Sequence, residues 1–425
     1  MVRVRKFNSS KGSVFWAAII GNILEYYDFT VCIVFSVEIG KTFFPADSGI
    51  SQILGALLAF AFGFISRPVG AVVLGYVGDR YGRRSALLCS ALGMTFSTFG
   101  IGFLPGYGTI GVFAIPLLFV FRMIQGFCIS GEGTGAAIFI LEHCKVKRLS
   151  LMAGVVNSTN IGGTVLATLV SLGLRHFFPD KDFVWRFAFI SGGLFGLLAL
   201  FLRWKVSETP IFAIMQKQKG GVRDGIRKVV KDSWRQMVLT FIIGSFAGSI
   251  VQLIKGYVNV YYQDIMGLPA QISLIYLMYT SIVLMISMIV FGALGDMVGK
   301  SRVLIGSGIA AIVFSIPALL FMSGPSLSHH IIALTLLALI AGAASASAYA
   351  FVILIFEPSQ RFFGVSVSYN LGIALFGGTS PLIARGLVEM FGNSYSPAYY
   401  IILLAALFLV AMNKTRSFII PKDYL

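Results

Sequence analysis

Gly75-Tyr-Val-Gly78-Asp79-Arg80-Tyr-Gly82-Arg83-Arg84 recurs half a chain later as Gly292-Ala-Leu-Gly295-Asp296-Met-Val-Gly299-Lys300-Ser-Arg302. The offset from Asp79 to Asp296 equals that from Gly82 to Gly299, 217 residues. Each copy follows one long apolar run and precedes another. A repeated glycine-acid-base loop at matching places in two sets of apolar helices points to the duplicated bundles of a secondary transporter.

Working outward, the 425-residue chain is 57% hydrophobic and 12% charged, with a mean hydropathy of +0.87. Soluble proteins carry about 25% charged residues. The apolar residues gather in runs long enough for roughly twelve membrane spans of about 20 residues each. Spans are expected near 14–38, 50–78, 85–104, 110–142, 151–175 and 185–206. A second set is expected near 236–262, 270–297, 302–323, 329–356, 362–390 and 395–413. The expected domains are therefore an N-terminal six-helix bundle (1–206), a basic loop (207–235), a C-terminal six-helix bundle (236–413) and a tail (414–425).

The net charge of +16 would suit a nucleic-acid binder, but its distribution argues against one. Basic residues cluster at alternate junctions, including Arg80, Arg83 and Arg84, then Lys145, Lys147 and Arg148, and the loop from Lys205 to Arg235. The other set of junctions has Lys41, Arg175 and Lys181. The positive-inside rule then puts both termini and the middle loop in the cytoplasm. That loop is read as an orientation signal that also attracts anionic lipid. The four cysteines (Cys32, Cys89, Cys128, Cys144) form no CxxC pair and read as free thiols in apolar surroundings. The basic N-terminus resembles a signal peptide, but the stretch from Val14 is too long and holds Glu25 and Asp28, so a retained first helix is expected.

Charges within spans are the functional clues, because each costs about 2.5–3.5 kcal/mol at mid-membrane. Asn22, Glu25 and Asp28 share one helix face. Two carboxylates so close in a low dielectric cannot both ionise cheaply, which suits a proton carrier. The alternative is a structural pair satisfied by Arg67 or Arg122. Arg122, Gln125 and Glu132 project in similar directions from the fourth span. Arg122 can offer a fork to a solute carboxylate or neutralise Glu25 or Asp28. Lys255 is either a second anion-binding group or a snorkelling side chain. Tyr257, Tyr261 and Tyr262 follow it, either as boundary tyrosines or as faces for a quaternary ammonium.

In the loop motif, Gly75 and Gly78 permit close helix approach. Asp79 can face the positive N-terminal end of a neighbouring helix. Arg83 and Arg84 can pair with carboxylates or lipid phosphate. Glu142 and Glu357 close the fourth and tenth spans, each followed by bases, and suggest matched gate salt bridges. The expected gating set is Gly75, Asp79, Arg80, Gly82, Arg83, Arg84, Glu142, Asp296, Gly299 and Glu357.

The loop signature resembles that of the major facilitator superfamily. Gly21-Asn22-Ile-Leu-Glu25-Tyr26-Tyr27-Asp28-Phe29, Arg67-Pro68-Val-Gly70, Arg122-Met-Ile-Gln125-Gly126, Trp185-Arg186, Glu208-Thr209-Pro210 and Phe376-Gly377-Gly378-Thr-Ser-Pro381 are similar to its metabolite:proton symporter branch. Departures include Tyr26 for a usual Trp, Gly133 for an aromatic, Met297 for Arg, and Asn259 at a usual proline; Lys255 is unexpected there. The resemblance implies an all-α fold of twelve helices in two pseudo-symmetric bundles. It also implies proton-coupled uptake of a small zwitterion (proline/betaine-like first) or a di- or tricarboxylate or shikimate-type acid, by alternating access across a bacterial inner membrane. Expected proton-coupling residues are Glu25, Asp28 and Glu132. Expected substrate contacts are Asn22, Tyr26, Arg122, Gln125, Lys255, Tyr257 and Asn370. The expected partners are a small-molecule solute, a proton and the lipid bilayer, with the chain acting as a monomer. No cofactor or metal is expected: no phosphate loop, metal-ligand spacing or nucleophile-base cluster occurs, so enzyme chemistry and ATP-driven transport are not anticipated. A flux-free sensor is the alternative of another class.

Overall fold

In a computed structural model, residues 11–45, 52–81, 83–142, 148–178, 183–204, 230–356 and 361–415 are described; side chains at 11–19, 25, 75, 76, 78–84, 86, 87, 131–142, 202–204, 361–363 and 415 are outside that description. Among the described residues the regular structure is all helical. Ten helices are long and apolar enough to cross a membrane, a bent pair supplies an eleventh, and the shorter apolar helix Leu88–Phe103 lies where the third span is expected.

Helix contacts repeat between the halves. In the first half, span 1 (Lys11–Val34) packs on span 5 (Leu149–Phe177), and span 3 (Arg83–Phe103) packs on span 4 (Ala114–Glu142) and span 6 (Val184–Trp204). In the second, span 7 (Trp234–Val260) packs on span 11 (Arg361–Gly372 and Ser380–Phe391), and span 9 (Lys300–Met322) packs on span 10 (Leu327–Ala346) and span 12 (Pro397–Thr415). Between halves, span 5 lies along span 8 (Ala270–Val298), and span 2 (Gln52–Ile65 and Arg67–Tyr81) meets span 11. These are equivalent pairs under exchange of the halves, as an internal two-fold relation requires.

Small residues set the close approaches. A Cβ on Gly126 would collide with the Gly63 carbonyl, joining spans 2 and 4, and one on Gly378 would collide with the Phe64 ring, joining span 11 to span 2 across the halves. Gly299 turns the chain between spans 8 and 9 at φ 107°, a conformation open to glycine. This is the physical reason for a glycine three residues after Asp296 in the motif.

Several spans are broken where the sequence suggested one helix. The first does not end near 38: it breaks at Phe35 with a 60° bend and resumes as Ser36–Phe43. The second breaks at Ser66, whose hydroxyl bonds back to the Gly63 carbonyl at 3.1 Å. Spans 7 and 11, both in the C-terminal half, contain π-helical turns at Tyr261–Ile265 and Ile373–Gly377. Such turns free backbone groups and recur at functional sites.

Candidate functional site: a buried cationic and aromatic cluster between two bundles

Spans 1, 2, 4 and 7 carry the buried charged residues Asp28, Arg67, Arg122 and Lys255. Arg122 is fully buried; its Nη1 donates to Gln125 Oε1 at 2.6 Å, and Gln125 Nε2 donates to Thr98 Oγ1 at 2.8 Å. The Thr98 hydroxyl lies within hydrogen-bonding reach of the Asp28 carboxyl, which is 1% exposed. Thus Arg122 and Asp28 are joined through two neutral side chains. Nε and Nη2 of Arg122 and Oδ1 of Asp28 have no hydrogen-bond partner. The intervening groups hold the two charges in place without a direct bond between them.

Phe29 organises the cations. The Arg67 guanidinium lies 4.4 Å from its ring centroid and the Arg122 guanidinium 4.6 Å. Arg67 also sits 3.8 Å from the Phe64 ring. The ring quadrupole attracts cations on both faces, so the aromatic side chain lets two guanidinia share one apolar region. Arg67 follows the Ser66 break and opens the second segment of span 2, which points it inward.

Lys255 belongs to this cluster. It is 2% exposed, its ammonium lies 5.2 Å over the Tyr26 ring, and Arg67 is close enough to act on its charge. Of the two readings left open by the sequence, snorkelling toward an interface is not what the structure shows. Tyr369 is buried beside Tyr26, with Tyr349 4.5 Å from it centroid to centroid. Three tyrosines from both bundles thereby border the Lys255 region.

The other expected contacts have the following partners in the structure. Both amide hydrogens of Asn22 serve helix packing, to Thr159 at 2.5 Å and Asn160 at 2.6 Å, leaving its carbonyl oxygen for a further partner. Asn370 donates to the Ser366 carbonyl at 2.8 Å within span 11. Tyr257 is fully buried, its hydroxyl without a hydrogen-bond partner, in a ladder with Tyr261 at 5.8 Å. The side chains of Glu25, Glu132 and Glu142 lie outside the described residues, as does Glu357.

Of the gating set, Asp296 and Gly299 lie among the residues whose side chains are described. Asp296 accepts the backbone N–H groups of Ser150 and Leu151, both at 2.9 Å, at the first turn of span 5. Lys300 stands 3.5 Å from the same carboxylate. A carboxylate on a helix N-terminus is favoured by about 0.3–2 kcal/mol. Asn157 adds a bond to the Ser345 carbonyl at 2.9 Å, from span 5 to span 10. Gly82 and the side chains at 75, 79, 80, 83 and 84 lie outside the described residues, while the helix bearing Asp79 packs on Arg361–Gly372, the symmetry equivalent of the Asp296 contact.

At the far end, three features went unread in the sequence. Asn259 Nδ2 donates to the Val34 carbonyl across the bundles at 3.0 Å, and Ser273 donates to Asn259 Oδ1 at 2.8 Å. The break at Phe35 ends the helix at Val34, so this carbonyl is available to Asn259. Glu38 pairs with Arg175 and Asp264 with Arg385 at 2.7 Å. These pairs link spans 1 and 5, and 7 and 11, so they too are counterparts. The signal for them was an acid after each first span of a half and an arginine late in each fifth. Bonds between the bundles therefore exist on both sides of the buried cluster.

Residues 18–328 match the pattern of the Major Facilitator Superfamily. The chain is 30% identical over 390 residues to a Staphylococcus aureus (strain COL) protein named for proline/betaine transport, covering 90% of this chain and 83% of that one. It is 28% identical to the ectoine/proline transporter ProP of Corynebacterium glutamicum, covering 93% and 82%. It is 28% identical to the glycine betaine/proline/ectoine/pipecolic acid transporter OusA of Dickeya dadantii, covering 92% and 80%. In fold it is similar to the proton:xylose symporter XylE bound to 6-bromo-6-deoxy-D-glucose, with a TM-score of 0.74, 19% identity and 96% of each chain covered. A partially occluded inward-open form of XylE from E. coli gives a TM-score of 0.72 at 19% identity, covering 97% and 98%. Pattern, duplicated helix contacts and fold agree: the chain is a membrane transporter, not an enzyme, and belongs to the major facilitator superfamily, with its twelve helices in two six-helix bundles.

Proposed function

We propose that the chain couples the uptake of a small carboxylate-bearing solute to the inward movement of a proton. One observation carries the reading: a fully buried guanidinium with two unpartnered nitrogens, linked through Gln125 and Thr98 to a buried aspartate. A buried charge without a full set of partners is costly. A solute carboxylate supplies those partners, and Asp28 competes electrostatically when ionised. Protonation of the Glu25/Asp28/Glu132 group from the outer side frees Arg122 for the solute. The bundles then rock, closing contacts such as Asn259–Val34 and opening those at Asp296 and, by symmetry, Asp79. Solute and proton leave inside, and the arginine returns to its acid. Both termini and the basic loop 207–235 are placed in the cytoplasm by the charge asymmetry.

The first-choice solute is a proline- or betaine-like zwitterion, in keeping with the relatives. The tyrosine faces of Tyr26, Tyr349 and Tyr369 suit its cationic end. A second reading has its own observation: Lys255, buried beside Arg67, offers a second anion site and favours a dicarboxylate. Purified protein in proteoliposomes tests both. Uptake should require an inward proton gradient, and counterflow should occur without one; a flux-free sensor shows neither. Labelled betaine and α-ketoglutarate compete for the same site, and Lys255→Gln should weaken only the dicarboxylate. Proton-driven uptake left intact by each of Glu25→Gln, Asp28→Asn and Glu132→Gln overturns the mechanism.

A further inference from the structure

Spans 7, 11 and 12 of the C-terminal bundle border a groove of about 570 Å³. Phe376, in the π-helical turn of span 11, closes it at depth, packing edge-on against Phe241 at 5.9 Å. Val238, Leu407 and Val410 line its walls and are each about half exposed. In the membrane these side chains face acyl chains rather than water. The groove's mouth is different in kind. Trp234 and Arg235, at the first turn of span 7, and Lys414, at the last turn of span 12, stand there. The chain direction puts all three at the same membrane face, with Trp234 at the depth where indoles collect.

We propose that this groove is a binding site for one anionic glycerophospholipid of the cytoplasmic leaflet. An acyl chain lies along Val238, Leu407 and Phe376, and the phosphate lies between Arg235 and Lys414. The argument is charge complementarity joined to shape: an apolar slot as deep as span 11, capped by two bases, matches a molecule with an apolar tail and an anionic head. Basic pockets between helices on the cytoplasmic side have this chemistry. The flanking segments of the chain are poor occupants. Residues 205–229 and 416–425 are each net positive and are repelled by the same two bases. Lys231 and Asp232 beside the mouth offset one another in charge. A lipid held here joins spans 7, 11 and 12 and stabilises the C-terminal bundle by mass action. The proposal uses the orientation given above but none of the proton or solute chemistry.

The test is native mass spectrometry of the purified full chain with phosphatidylglycerol or phosphatidylcholine of identical acyl chains. One phosphatidylglycerol should stay bound at roughly tenfold lower lipid concentration than phosphatidylcholine. The exposed double variant Arg235→Gln/Lys414→Gln should abolish that preference. Leu407→Trp, which fills the slot, should lose both lipids, with thermal melting used to confirm folding. Inorganic phosphate at millimolar concentration should not displace the lipid. Equal retention of the two lipids by the native chain overturns the proposal. So does a preference that survives both variants, and displacement by phosphate reassigns the mouth to a free anion. Counterflow by the charge variant shows separately whether transport itself is intact.

Discussion

At the scale of single residues, the proposed chemistry turns on how Arg122 is held. Gln125 takes one of its N–H groups at 2.6 Å and is itself anchored on Thr98 at 2.8 Å. The guanidinium plane is therefore oriented while other donors remain available. A lysine keeps the charge but lacks the planar fork. Arg122→Lys should lower the uptake kcat/KM at least about tenfold, since one lost charged bond is worth about 1.5–3 kcal/mol. Radiolabelled uptake in proteoliposomes measures it. Lys255 shows why residue identity alone was insufficient. Its stem is long enough to reach an interface, and only its placement over Tyr26 decided between the readings.

At the scale of elements, helix contacts and helix ends carry the energetics. Gly126 sits where the Gly63 carbonyl excludes a side chain. Gly126→Ala should therefore destabilise the N-terminal bundle by about 1–3 kcal/mol, the range for overpacking, seen as a lower melting temperature in detergent. Asp296 binds the first turn of span 5 and Lys300 together. Asp296→Asn removes the charge from that contact while nearly preserving shape. It should shift the population toward opening at this end by about five- to thirty-fold, for about 1–2 kcal/mol lost. Increased alkylation of a cysteine introduced at Ser345, beside Asn157, would report the shift; unchanged labelling would contradict the gating role. Because Asp79 is the symmetry counterpart, Asp79→Asn should act in the same direction.

At the scale of the whole molecule, the two bundles are tied on both sides of the buried cluster, by Asn157–Ser345 and Asp296 at one end and Asn259–Val34 at the other. This is the arrangement expected of an occluded stage, when neither side has access. Alternating access then requires the two layers to break in turn. Driven uptake and exchange should separate in Asp28→Asn. Exchange of solute across the membrane needs no net proton movement, so counterflow should persist, while accumulation against a gradient falls to background. Equal loss of both would make Asp28 a structural residue.

What the residues alone determined was the architecture and the transporter class. Runs of apolar side chains long enough to span a bilayer can do little else, because the backbone must satisfy its own hydrogen bonds there. The repeated Asp79 and Asp296 motifs disclosed the duplication, and the charge asymmetry supports the proposed orientation. Acids and bases within those runs pointed to the region of the proposed site, since charges are costly to insert in a membrane. The tertiary structure alone decided which of these charges meet. Arg67 and Phe29 joined the cluster, Asn22 was engaged in helix packing, and Asn259 became a tie between bundles. The break at Phe35 was equally illegible, because the carbonyl it frees at Val34 finds its partner 225 residues away. Local sequence encodes periodicity and cost of burial; contacts between helices distant in the chain depend on packing that no single segment contains.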